Sequence, residues 1–210
     1  MRRGGVRLIT TVSTASTTIT QPSTTTGVHL FPDERIVETP SWELTRFLSS
    51  HISQTAYSLF LEKSFNKQSL LIGANDGLSL ACNHIHNRNW ERLSAMTASS
   101  LIDSLHLVRD VIPSEVESSL LFNQSDVVHS FIYRSFLSGR KIFKVSETSN
   151  LFIYYIIVSY IRRTNKVPYG LSASQYLRKH RNDLTIANIG YGRAVNPLGA
   201  WKITNLNIST

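Results

Sequence analysis

Between residues 41 and 107 apolar positions recur every three to five residues, and from residue 125 onward they alternate. That change of period divides the chain into a helical half followed by a sheet half. Residues 41–64 place Trp42, Phe47, Leu48, Ile52, Ala56, Leu59 and Phe60 along the apolar face of an amphipathic helix, with Ser41 as its N-cap. In the next segment Leu71, Ala74, Leu78, Ala81 and Ile85 form one stripe spaced 3, 4, 3 and 4, and Asn66 is positioned to cap it. Gly73 falls inside this pattern, where a glycine costs about 1 kcal/mol relative to alanine. Close approach of a neighbouring helix or strand at Gly73–Ala74 is the expected compensation. A phosphate-cradling loop would need its glycines between a strand and a helix start, with a Lys followed by Ser or Thr; residues 65–80 have neither. A third helix is predicted from Asn89 to Leu107 on the stripe Trp90, Leu93, Thr97, Leu101 and Leu105, with Pro113 beyond its end.

The sheet half begins with an alternating segment, 126–137, followed by a Ser-Gly turn at 138–139 and a short strand candidate over 139–145. Residues 151–161, LFIYYIIVSYI, are apolar without alternation, as in a strand buried on both faces. The run is too short for a membrane-spanning helix, which needs about 20 such residues. A basic connection over 162–182 leads to two last strands, 184–195 and 200–208, joined through Asn196-Pro197-Leu198-Gly199, which suits a type I turn. Helices first and an antiparallel sheet afterwards is the α+β order. The economical architecture is three helices laid into one curved sheet of four to five strands.

Charge sharpens the division. Residues 1–32 carry three arginines and no acid; residues 33–133 carry seven basic and twelve acidic residues; residues 134–210 carry twelve basic and two acidic ones, for a net charge of +8. A basic second half points toward a polyanion, anionic lipid or RNA. Its densest stretch is the 162–182 connection, where Arg162, Arg163, Lys166, Arg178, Lys179 and Arg181 occur with no acid between the first and the last. The plain alternative is a solvated loop. Residues 1–26 are rich in Arg, Ser and Thr and free of acids, the composition of a mitochondrial transit peptide, the alternative being a Ser/Thr-rich tail. The domain is therefore expected over 40–210, with 1–32 outside it.

Candidate chemistry is sparse. One cysteine, Cys82, excludes an internal disulfide and reads as a buried thiol. His84 and His86 stand two apart, a spacing that splits them across a helix and disfavours a shared metal. Residues 170–174, GLSAS, lack the final glycine of a nucleophile elbow. Glu147 and Asp183 are the only carboxylates after residue 133 and read as turn residues rather than an acid–base pair. Tyr133, Tyr154, Tyr155 and Tyr160 read as core and strand positions. Asn123 and Asn207 open Asn-x-Ser triplets, which arise often by chance. The expectation is a protein without enzymatic activity, cofactor, metal or small-molecule substrate.

Ser64-Phe65-Asn66, the apolar Leu70, Gly73-Ala74, the Trp90-Glu91-x-Leu93 cluster and the closing AWKITNLNI segment together resemble the Tim-forty-four-like domain family over roughly residues 42–208. Leu70 stands where the family's Phe-x-x-Gly-Ala signature has Phe, and Gly77 occupies a position commonly small and helix-forming. The resemblance implies a nuclear-transport-factor-two-like cone of helices on a curved antiparallel sheet. It also implies residence in the mitochondrial matrix, peripheral to the inner membrane. The expected work is that of an adaptor for the m-AAA protease and newly made inner-membrane proteins, including the calcium-uniporter regulator subunit. A ribosome-associated relative, binding rRNA through the basic half, is the alternative that the same domain implies.

Overall fold

Four antiparallel strands form one meander in the order β1-β2-β3-β4: β1 Val127–Ser138, β2 Phe152–Arg162, β3 Leu184–Ala194 and β4 Lys202–Ser209. In this computed structural model, residues 28–31, 36–40, 43–108, 110–139, 145–146 and 149–210 are described. The helices are α1 Leu44–Ala56, α2 Lys67–His86, α3 Trp90–Met96, α4 Ser99–Val108, α5 Ser114–Ser119 and α6 Ala173–His180. The α+β order read from the sequence is the observed one. Register shifts leave Val128 and Tyr133 of β1 without an opposite residue on β2, and Thr204 of β4 without one on β3, and mark bulges of the kind that bend strands. No helix among the described residues is long and apolar enough to cross a membrane.

β2 is buried on both faces, as its unbroken apolar run predicts. Ile153, Tyr155 and Ile157 face the main core, built with Leu78, Ala81 and Ile85 of α2, Leu93 of α3, and Leu101 and Leu105 of α4. Val158 and Tyr160 enter a second cluster with Tyr176 of α6 and Ile186 of β3. Helices therefore cover both faces of the sheet. The 162–182 connection, expected to be a loop, contains α6, whose N-terminus is fixed by a Ser172–Gln175 capping box.

α2 follows its pattern. Asn66 caps it by accepting a hydrogen bond from the Gln68 N–H (2.8 Å), and Ala74, Leu78, Ala81, Cys82 and Ile85 are buried. Asn75 adds a polar rung, donating to Ser130 Oγ (3.1 Å) and accepting from Ser159 Oγ (2.9 Å). The close approach exists, but at the other glycine. A Cβ on Gly73 would meet nothing within 4 Å, whereas one on Gly77 would lie 2.6 Å from Tyr191 Oη. That hydroxyl donates to the Ala74 carbonyl (2.7 Å), which pins the Tyr191 ring against α2 and leaves no room at position 77.

Three further readings need correction. The Asn89–Leu107 helix is two helices. At Thr97 the chain turns extended, Thr97 bridges Ile203, and the Ala98 N–H donates to the Ile203 carbonyl (2.7 Å), so pairing with β4 interrupts the helical ladder while Leu93, Thr97, Leu101 and Leu105 stay buried and Trp90 is half-buried. The Asn196–Pro197 peptide is cis, and the β3–β4 connection is closed by the Gly199 N–H donating to the Ala194 carbonyl (2.9 Å) rather than by a four-residue type I turn. The fold also begins before residue 40. Leu30 donates to the Ile208 carbonyl (2.9 Å), Leu30 and Phe31 are buried in the main core, and the Asn207 side chain bonds both N–H and C=O of Phe31 (3.0 and 3.1 Å). Residues 1–26, the Ser41 cap, Trp42, Glu147 and most of the 139–145 strand candidate lie outside the described residues.

The largest departure concerns α1. Its apolar face points outward: Ile52 is 66% exposed, and Leu44, Phe47 and Leu48 are exposed as well. A π-helical turn, Tyr57–Leu61, then carries Leu59 and Phe60 (82% exposed) on the surface while burying Tyr57. What α1 turns inward is polar. The edge strand β1 has backbone groups without a strand partner, and α1 supplies partners for them. The Ser135 N–H donates to Ser50 Oγ (3.0 Å), Ser135 Oγ donates to the Ser50 carbonyl (3.0 Å), and Ser53 Oγ lies 2.9 Å from Ser135 Oγ. Covering an open sheet edge outweighs burying the apolar stripe.

Candidate functional site

The chain reversal between α1 and α2 builds the main candidate. The π-turn swings Tyr57 inward and sets Glu62 beside Arg193, the only charged residue of β3. Arg193 Nη1 donates to Glu62 Oε2 (2.9 Å) and to Tyr57 Oη (3.1 Å), its Nε donates to the Gly199 carbonyl (2.6 Å), and Tyr57 Oη donates to Glu62 Oε2 (2.5 Å). The guanidinium also lies over the Trp201 ring, 5.4 Å from its centroid. Three polar groups thus satisfy one another inside an aromatic wall. Phe65 meets Tyr57 edge-on (5.1 Å) and stacks on Tyr155 (5.7 Å), and Trp201 meets Tyr155 edge-on (5.7 Å).

Above this wall opens a cavity of about 300 Å³, lined by Phe65, Leu70, Gly73, Ala74, Tyr191 and Trp201 and by the polar residues Glu62, Ser64, Asn66 and Ser69. Gly73 belongs here. Its missing side chain leaves space in the cavity instead of admitting a neighbouring element. Of the residues that carry the resemblance noted in the sequence, Phe65, Asn66, Leu70, Gly73 and Ala74 converge on this cavity. Trp90 and Leu93 do not: Leu93 is core, and Trp90 packs on the His106 ring at 5.1 Å.

The polar groups around the cavity and its aromatic wall are held by one another. Burial, reinforced by the hydrogen bond to Glu62, pushes the Tyr57 hydroxyl well above the ordinary phenol range, and burial does the same for Tyr155 and Tyr191. All three keep their protons at neutral pH. Glu62 is held by Arg193 and Tyr57. A mostly apolar, concave surface with a few fixed polar groups suits an apolar ligand group. Cys82 is buried, which raises its thiol pKa and keeps it protonated. His84 and His86 lie in the last turn of α2.

The basic candidates separate into two kinds. Arg162 is paired with Asp126 (3.3 Å) and its guanidinium lies over Tyr169 (4.9 Å); Arg181 is paired with Glu38 (2.7 Å). These acids come from distant sequence, so a stretch that reads as acid-free is partly neutralised in the fold. Arg163 and Lys166, in the β2–α6 connection, and Arg178 and Lys179, in the last turn of α6, are exposed. At that helix end Arg178 and Lys179 also complement the helix dipole.

The sequence reading missed the Tyr57–Glu62–Arg193 group. A signal was present: a lone arginine in an otherwise uncharged buried strand requires a partner. Which acid supplies it depends on the π-turn, which no periodicity indicates. No family model, curated protein or solved structure matches this chain.

Proposed function

We propose that this chain is a non-enzymatic adaptor of the mitochondrial matrix, peripheral to the inner membrane, built as a nuclear-transport-factor-two-like cone. It associates with the m-AAA protease and with newly made inner-membrane proteins, and assists their sorting or maturation, the calcium-uniporter regulator subunit among them. The observation that carries this reading is the convergence of Phe65, Leu70, Gly73, Ala74 and Trp201 on one apolar cavity. The outward apolar face of α1 and its π-turn adds to it, with Ile52 and Phe60 exposed. Nascent membrane proteins carry long apolar segments, and such a segment needs apolar surface to shield it before insertion.

Affinity purification of the tagged protein from detergent-solubilised mitochondria tests the reading. The wild-type chain is expected to bring down a hexameric AAA protease together with inner-membrane clients. Gly73→Leu places a side chain in the cavity, which a Cβ at position 73 enters without meeting an atom within 4 Å, and Ile52→Glu with Phe60→Glu charges the helix face; either is expected to lose the clients, with the melting temperature checking that each variant still folds. Equal client recovery with all three proteins would overturn the proposal. A parallel check concerns location: removing residues 1–26 should leave the protein in the cytosol, and normal import of the truncated chain would refute a transit peptide.

The second reading is a ribosome-associated protein at the same membrane. Its support is the exposed set Arg163, Lys166, Arg178 and Lys179 in a half of the chain with twelve basic and two acidic residues. Co-sedimentation with mitoribosomes that survives high salt, and is lost in Arg178→Glu with Lys179→Glu, would favour it over the adaptor. Salt-sensitive binding of the same residues to cardiolipin-containing vesicles would instead indicate peripheral lipid contact.

A further inference from the structure

A second cavity, about 290 Å³ and mainly polar, lies where β2 ends. Arg162 and Arg163 both line it, together with Thr164, Asn165, Thr185 and, from α5, Ser118 and Ser119. Adjacent residues of a strand point to opposite faces. Here the strand stops at Arg162, and the following turn brings its neighbour to the same recess; the Arg163 N–H donates to the Asp183 carbonyl (2.8 Å), which fixes that turn.

The two arginines are prepared differently. Arg162 is clamped: its Nε bonds Asp126 Oδ1 (3.3 Å), and its plane lies over the Tyr169 ring, whose hydroxyl donates to the Ser125 carbonyl (2.6 Å). Asp126 is itself held, accepting from the Asn123 N–H (2.9 Å). The Nη groups of Arg162 make no hydrogen bond to a described residue. Arg163 is exposed and has no ion-pair partner among the described residues. Asp126 is the one carboxylate lining the recess, against two guanidinium groups. The Ser118 and Ser119 hydroxyls are committed to the Glu115 and Val116 carbonyls (2.8 and 2.7 Å), so the side-chain donors left for a ligand come from the two arginines, Thr164, Asn165 and Thr185.

We propose that this recess binds a phosphate group, presented either by free phosphate or a small phosphate ester, or by a phospholipid headgroup. A planar guanidinium fixed in place offers paired donors that match phosphate oxygens, and clamping removes most of the ordering cost. The concave shape distinguishes the site from a charged loop: it takes one anion, saturably, whereas dispersed surface cations attract any polyanion in a salt-dependent way. The site does not depend on the adaptor reading, since it lies apart from the Phe65–Trp201 cavity and shares no lining residue with it.

Calorimetric titration of the full chain with inorganic phosphate and with glycerol phosphate, at constant ionic strength set with chloride, tests this. Saturable one-to-one binding is expected. Arg163→Gln should weaken it about tenfold, as loss of a charge-assisted bond does. Asn165→Leu, which crowds the recess without changing charge, should also weaken it. Arg178→Gln, an equal charge change outside the recess, should not, and melting temperatures of the variants should match wild type. A vesicle arm separates the sources: binding to phosphatidylcholine vesicles containing cardiolipin that inorganic phosphate competes away assigns the headgroup, and binding of the soluble anions alone assigns the free phosphate. Absence of saturable binding in both arms overturns the proposal. So does equal weakening by Arg163→Gln and Arg178→Gln, which would mean diffuse charge attraction.

Discussion

α1 and α2 carry equally readable apolar stripes and use them in opposite ways. α2 lays Ala74, Leu78, Ala81 and Ile85 into the core. α1 keeps Leu44, Phe47, Leu48 and Ile52 in solvent and turns Ser50 and Ser53 to the edge of β1. Amphipathic periodicity states that a helix has two unlike faces. It does not state which face meets the protein. For α2 the partner is the apolar face of a sheet, and burial decides. For α1 the partner is a strand edge whose backbone groups need hydrogen bonds, and polar satisfaction decides. The apolar stripe of α1 therefore stays exposed among the described residues.

The comparison breaks most visibly with a truncation in each helix. Leu78→Ala should cost about 2–5 kcal/mol in a denaturant melt, the range for emptying a buried leucine site. A cost within 0.5 kcal/mol, the range of a surface change, would mean that α2 is not the core helix. Next in size is Gly77→Ala, expected to cost about 1–3 kcal/mol because its methyl meets the Tyr191 hydroxyl. Removing that hydroxyl by Tyr191→Phe should recover part of the loss in the double variant, a coupling that independent sites would not show. Ser50→Ala should cost about 1 kcal/mol through the lost bond to the Ser135 N–H, and faster hydrogen exchange at Ser135 should accompany it. A Ser135 amide exchanging equally in both proteins would remove the edge-covering account of α1. Gly73→Ala is expected to stabilise by up to about 1 kcal/mol, since it gains helix propensity and meets no neighbour. The smallest effect belongs to Ile52→Ser, within about 0.5 kcal/mol of wild type, with the consequence appearing in partner capture instead.

Much of the architecture was legible in residue order. The switch of period near residue 125, the two-faced burial of β2, the Asn66 cap and the stripe of α2 all follow from local rules that the fold obeys. α6 was hidden because eight residues with three basic or histidine side chains offer little apolar periodicity; its capping box at Ser172 and Gln175 was the available sign. The split at Thr97 was hidden because it arises from a bridge to Ile203, more than a hundred residues away.

The candidate site divides along the same line. Residues of the stretch from Phe65 to Ala74 line the apolar cavity, whereas the close approach expected at Gly73 falls at Gly77. Sequence by itself determined that residues 67–86 form a helix with small residues on one side, because capping and a regular apolar stripe are local properties. Only the tertiary structure decided that Tyr191 rests on Gly77 while Gly73 opens a cavity, that Glu62 answers Arg193, and that Asp126 and Glu38 neutralise two of six clustered cations. Each of these is a contact between positions 36 or more residues apart. Their pairing is set by how strands register and helices dock, and the local pattern of residues carries no record of that choice.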